Sequence, residues 1–215
     1  VFTSDHGETL YDHDCYFDHH SIYDNVLVVP FAFKYAKFGY EGHVDDITQT
    51  KDILPTILSL CGIDCGIKFD GRDMTKAITG EGVREEPEFY ITEATWMRKH
   101  GWRTPEWKLM IALEPDFHFK PEIELYNLIE DPGENHNIAE ENPDVVAFLR
   151  ARMEAHIAKR AAEGGPSDPI YTNLDWSGFG RPFVSSQEAY DNLHIGDPAA
   201  AQKLQDKLKE MGVED

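Results

Sequence analysis

Val1-Phe2-Thr3-Ser4-Asp5-His6-Gly7-Glu8, followed by Asp18-His19-His20-Ser21-Ile22-Tyr23-Asp24, is the stretch from which this 215-residue chain is read. From Asp5 to Asp24, ten of twenty residues are Asp, Glu or His, and four of the chain's ten histidines fall there. These are ligand types for a divalent cation and also the types that move protons. Val1 to Ser4 reads as the end of a strand, and Asp5-His6-Gly7 as the loop after it. In open α/β sheets, ligands bind outside the carboxyl ends of strands. A carboxylate and an imidazole side by side there, with Gly7 permitting a sharp turn, make Asp5 and His6 a candidate metal pair. His13, between Asp12 and Asp14, reads equally well as a solvated loop residue. If their segment is extended, His19 and His20 point in opposite directions, so one of the two is expected to face a pocket.

Composition narrows the function. The 41% apolar content suffices for a core, as one domain or as a large and a small one. Forty acids against twenty bases give a net charge of −20. Such a surface repels polyanions, and no Lys/Arg cluster overrides it, so nucleic acid is not an expected partner. The plainer reading of the acidity is solubility. Three cysteines, Cys15, Cys61 and Cys65, give no disulfide framework, and without a second Cys pair Cys61-x-x-x-Cys65 is not read as a structural zinc site. Cys61 reads as a core residue. No run of about 18 apolar residues is present, so no membrane partner is expected. No leader segment is recognisable, and with Val1 rather than Met in first place the compartment stays open.

Further along, Val26 to Phe33 reads as a buried strand and Val44 to Thr48 as a short one. Asp52 reads as a helix N-cap, with Pro55 at the third helical position and Gly62 as the stop. The stripe Ile53, Leu54, Ile57, Leu58 and Cys61 is expected to pack on a sheet. Residues 66–87, rich in Gly and charge, read as a connection to a second unit. There, Phe89–Thr92, Lys108–Ala112 and Ile123–Asn127 read as strands. A helix capped by Asn142, with Pro143 first and the stripe Val146, Leu149, Met153 and Ile157, is expected to cover them. Trp96 to Arg103, between the first two strands, reads either as a substrate-pocket loop or as packing between subdomains. In the tail, Tyr171 to Phe183 reads as an arm anchored by Trp176, Phe179 and Phe183. A last helix spans Asp197 to Gly212, its stripe Leu204, Leu208 and Met211 facing its own chain or a partner subunit.

Several short motifs in fixed order carry a resemblance. They are Thr3 to Glu8, Phe17 to Asp24, Val28-Val29-Pro30, Asp52 to Leu58 with Cys61-Gly62-Ile63, Asp70-Gly71-Arg72-Asp73 and Thr79-Gly80-Glu81. Arg103-Thr104, Trp107-Lys108, Glu124 to Leu128 and Asp131-Pro132-Gly133-Glu134 complete the set. Residues 1 to about 155 resemble the second half of a sulfatase, of the alkaline phosphatase superfamily. The resemblance implies an α/β fold: residues 1–85 as the C-terminal part of an alkaline-phosphatase-like α/β/α sandwich, and residues 86–165 as a small antiparallel α+β subdomain with a covering helix. Residues 166–215 are then an extension ending in a helix.

The resemblance also implies site roles. Asp5 and His6 match the family's late metal pair, usually serving Ca²⁺, with Mg²⁺, Mn²⁺ and Zn²⁺ as alternatives. His20, or else His19, falls near the position that contacts the sulfate group, where relatives carry Lys or His. The substrate is expected to be a sulfated sugar or small molecule. The family's first half, with its formylglycine nucleophile, is not found: no cysteine stands in a Cys-x-Pro/Ala-x-Arg context. The chain is therefore expected to be a C-terminal fragment, inactive alone, whose partner is the missing N-terminal half. A homo-oligomer and a periplasmic or secreted location are both compatible with the resemblance. Two other functions compete. One is a phosphonate monoester or phosphodiester hydrolase of the same superfamily, and the other a non-catalytic acidic cation-binding or interaction module.

Overall fold

A computed structural model describes residues 1–10, 12–15, 19–35, 41–80, 87–94, 98–116, 120–164 and 167–172. Asp18, Trp96, Met97, Glu81, the aromatic arm beyond Thr172 and the last helix lie outside the described residues. The elements in chain order are β1 (Phe2–Thr3), α1 (Asp24–Leu27), β2 (Phe31–Ala32), α2 (Ile53–Cys61), α3 (Thr75–Ile78), β3 (Phe89–Glu93), β4 (Lys99–Arg103), β5 (Trp107–Ala112), β6 (Ile123–Asn127), α4 (Pro143–Ala162) and α5 (Pro169–Thr172). The chain packs as two units, one of Val1 with Ala32–Glu88 and one of Phe2–Phe31 with Phe89–Asp215. Residues 2–31 group with the small sheet. No helix among the described residues is long and apolar enough to cross a membrane.

In the first unit, α2 carries Pro55 at its third position and ends on Gly62 in the left-handed region, φ 67°. The Gly62 and Ile63 amides close the end by bonding the Ser59 and Leu58 carbonyls. Asp52 is buried, but its side chain does not cap α2. A preceding 3-10 turn, Thr50–Asp52, turns it back onto the Gln49 amide at 3.0 Å and the Arg72 amide at 2.7 Å, with the Arg72 guanidinium at 3.2 Å. The stripe of α2 is less covered than expected. Leu54 and Cys61 are exposed, and the residues that bury are Pro55 and Thr56. Cys61 is thus not a core residue. Val44–Thr48 forms no strand.

The second unit is built on an antiparallel sheet in the order β3-β4-β5-β6. One register row runs Tyr90, Trp102, Leu109, Leu125, and the next runs Ile91, Gly101, Met110, Glu124. Alternation sends the first row to one face and the second to the other. On the first face Trp102, Leu109, Ile111 and Leu125 pack with Leu149 and Met153 of α4, as its spacing predicts. On the opposite face Ile91, Met110 and Tyr126 pack with Ile22 and Tyr23 from the opening segment. Both faces of this sheet are therefore buried.

Three expectations fail here. Lys99–Arg103 is a strand, not a pocket loop, and Trp102 lies in the α4 core. Its charges hide the pattern, and Gly101 is there because a Cβ would collide with the Leu109 carbonyl of β5. Val26–Phe33 is not a buried strand. Asp24–Leu27 forms a helical turn, the strand is confined to Phe31–Ala32, and Val28 is exposed. Asn142 precedes α4, but its amide bonds the Ile138 carbonyl instead of capping the helix.

Candidate active site

Every residue of the opening stretch that the structure describes from Phe2 to Phe31 belongs to the second unit, and the site grows from its backbone. Gly7 donates its amide to the Val26 carbonyl at 2.7 Å. It has no left-handed φ; the glycine is required because a Cβ would fall inside the Asn25 carbonyl. This fixes the loop before and after it. Ser4 Oγ donates to the His6 carbonyl at 2.8 Å, and the His6 amide donates to Asp5 Oδ1 at 3.1 Å. The Asp5 and His6 backbone amides, with the His6 imidazole nearby, hold the Asp5 carboxyl below its ordinary range. His6 Nδ1 shares a 2.7 Å hydrogen bond with the Gly7 carbonyl. With the proton on Nδ1, Nε2 is left as the ligating nitrogen, an arrangement typical of metal-bound histidine.

Across the loop, His19 stacks on His6 with ring centroids 4.1 Å apart and planes within 20°. His19 Nδ1 lies 3.5 Å from Glu8 Oε2. His6, Glu8 and His19 each offer a ligand atom, all within 4.8 Å of one another, and all three are exposed. Asp5 is beside them, its Oδ2 3.8 Å from His6 Nε2. Imidazole and carboxylate donors are the types that Mn²⁺ or Zn²⁺ accept, and carboxylate oxygens the type that Ca²⁺ accepts.

The structure thus brings three of the four expected site residues, Asp5, His6 and His19, to one place. His20 is half-buried with its ring tilted against His19 at 4.7 Å, so the pair are neighbours, not opposite. His13 is no solvated loop residue. It sits at φ 59° and stacks on Tyr23 at 3.7 Å, and burial lowers its pKa. Sequence reasoning gave Glu8 no role, although it follows Gly7 directly.

A second set of residues was also overlooked. Beneath the opening stretch, Tyr23 donates to Glu124 at 2.5 Å, and Glu124 also takes bonds from Tyr126 at 2.7 Å and Lys99 at 2.8 Å. Asp116 pairs with the same Lys99. Burial and the Glu124 charge push the Tyr23 hydroxyl far up, so it stays a donor. The available signal was Lys108 and Glu124 standing inside otherwise apolar strands.

The fold is one found in solved sulfatase structures. Solved structures share it: a 2-O GAG sulfatase superposes with a TM-score of 0.62 at 25% identity, covering 93% of this chain and 42% of that one. A phosphonate monoester hydrolase from Silicibacter pomeroyi shares the fold at 21% identity, with a TM-score of 0.60 over 73% of this chain and 34% of that one. The chain belongs to the N-sulphoglucosamine sulphohydrolase C-terminal family, whose profile matches residues 12–162. Among curated relatives, the Delta 4,5-hexuronate-2-O-sulfatase of Bacteroides thetaiotaomicron is 27% identical over 172 residues, 74% of this chain. The chain spans about a third of that relative's length, 34%.

Proposed function

We propose that the complete protein is a metal-dependent sulfatase acting on sulfate esters of sugars, and that residues 5–20 supply the late part of its divided site. The observation that carries this reading is the meeting of His6, Glu8 and His19 in a chain of a sulfatase family. Relatives that act on sulfated saccharides, such as the hexuronate sulfatase, support a sugar substrate. Asp5 and His6 are assigned to the divalent cation, Ca²⁺ first, with Mg²⁺, Mn²⁺ and Zn²⁺ as alternatives. When bound, the cation polarises the sulfuryl group and stabilises the charged nucleophile. Asp5 contributes a carboxylate kept ionised by amide donors, and His6 an Nε2 aimed by the Gly7 carbonyl. His19, stacked on His6 and exposed, is assigned the hydrogen bond to a sulfate oxygen or the proton for the leaving alkoxide. His20 backs it as the second candidate. None of the three cysteines fits the maturation context, so the formylglycine is assigned to a part of the protein outside these 215 residues, which alone should show no turnover.

The test is the complete enzyme assayed on a sulfate ester and a phosphonate monoester of the same alcohol. Preference for sulfate upholds the reading. Preference for the phosphonate transfers it to a phosphonate hydrolase, which the shared fold with such an enzyme favours. Asp5→Ala is expected to lose metal and nearly all turnover, and retention of both overturns the assignment. His19→Ala should cost about 10²-fold or more in kcat, the usual worth of a proton donor, and more than His20→Ala.

A further inference from the structure

On the face of the sheet opposite α4, the opening segment is held by charge. Lys108 is 0% exposed, with Nζ 2.6 Å from Asp24 Oδ1 and 2.6 Å from Glu134 Oε1. The second Asp24 oxygen lies 2.9 Å from the Arg103 guanidinium. The Asp24 backbone amide donates to Glu134 Oε2 at 2.6 Å. Two cations and two anions therefore close a set that captures the main chain of residue 24 as well as its side chain. Glu134 adopts φ 54°, a conformation that glycine occupies more easily, and from there its carboxylate reaches both partners.

From Asp24 a short path leads to the site. Asp24 opens the turn Asp24–Leu27, the Val26 carbonyl of that turn accepts the Gly7 amide at 2.7 Å, and the Gly7 carbonyl holds His6 Nδ1 at 2.7 Å. Apolar contact between Ile22 and Met110 on the same face is non-directional and tolerates sliding. In the buried set, by contrast, a fully enclosed Lys108 charge is met by carboxylates at 2.6 Å on two sides, and Asp24 is hydrogen-bonded both by Arg103 and to Glu134, so a shift of register would strand a buried charge. We propose that Lys108 and Glu134, acting through Asp24, are positioning residues for the site: they set the Asp24–Leu27 turn over the sheet and thereby the approach of His6 to His19. Calling that pair the site rests on the sulfatase reading; the geometric claim does not.

The experiment uses the 215-residue chain with labelled histidines and reads the NMR cross-peak between the His6 and His19 rings, alongside thermal unfolding. Lys108→Met and Glu134→Gln should lose the ring cross-peak while cross-strand peaks between β5 and β6 persist. Leu149→Ala, which weakens the core under α4 on the other face, should lower the melting temperature and keep the ring cross-peak. The inference is overturned by wild-type cross-peak intensity in Glu134→Gln, or by equal loss in Leu149→Ala, which would make the contact a mere follower of stability. Should Lys108→Met not fold, Glu134→Gln decides, since it keeps the side chain's shape and one acceptor oxygen while removing the charge and the second acceptor. In the complete enzyme the same variant should lower kcat with little change in KM. A wild-type enzyme without sulfatase activity would sink the functional reading and leave the cross-peak result standing.

Discussion

Gly7 shows how little room the site has. A methyl group there would meet the Asn25 carbonyl and break the amide bond to Val26, so Gly7→Ala should destabilise the fold by about 2 kcal/mol, in the range of overpacking. Urea unfolding of the two chains measures it. Around Lys108, two carboxylates are pushed in opposite directions. Burial works to raise Asp24, but Arg103 and Lys108 outweigh it and hold it below its ordinary 3.8. Glu134 is more deeply buried, and there burial outweighs the Lys108 charge and lifts it above 4.5. The signs follow by linkage. Stability from Asp24 is complete above pH 3.8 and is lost as pH falls through its lowered folded value. Glu134 works the other way, costing stability as pH rises from 4.5 through its raised folded value. Melting temperatures followed from pH 3 to pH 6 should therefore show a loss at the acid end that is smaller in Asp24→Asn, while Asp5, Asp73 and Asp131, also held low, keep part of it. Asp5 and His6 could be read as a candidate pair in the sequence because they are adjacent. Glu8 and His19 join them through a loop closure that no local pattern announces.

Among the elements, β3, β5, β6 and α4 follow from periodicity, because each has a long apolar register against one face. Leu149 of α4 is 1% exposed, while Phe148 beside it is 59% exposed. Leu149→Ala should cost about 3 kcal/mol and Phe148→Ala less than about 0.5, a contrast that denaturant titration resolves. β4 was not legible: its Lys99 and Arg103 look like solvent-facing charges until Glu124 and Asp24 are folded against them. The same holds for Tyr23 and Asp24, which read as part of a polar loop and prove to be the underside of the site.

For the molecule as a whole, a net charge of −20 disfavours compactness through self-repulsion. Screening relieves it, so the melting temperature should rise between about 20 and 200 mM salt, where the Debye length shortens severalfold. A flat or falling response would mean that the buried pairs, and not the surface, dominate the salt dependence. The chain's place in a sulfatase family was already legible in ordered motifs, since each is a local backbone or ligand requirement written in consecutive residues. So was the α4-covered sheet. Only the tertiary structure decided that residues 2–31 belong with that sheet, that His19 is the histidine stacked on His6, and that Lys108, Glu134 and Asp24 lie beneath them. The reason is range. Periodicity reports which side of one element is apolar, whereas a buried ion pair between residues 24 and 108 exists only once distant chain has closed around it.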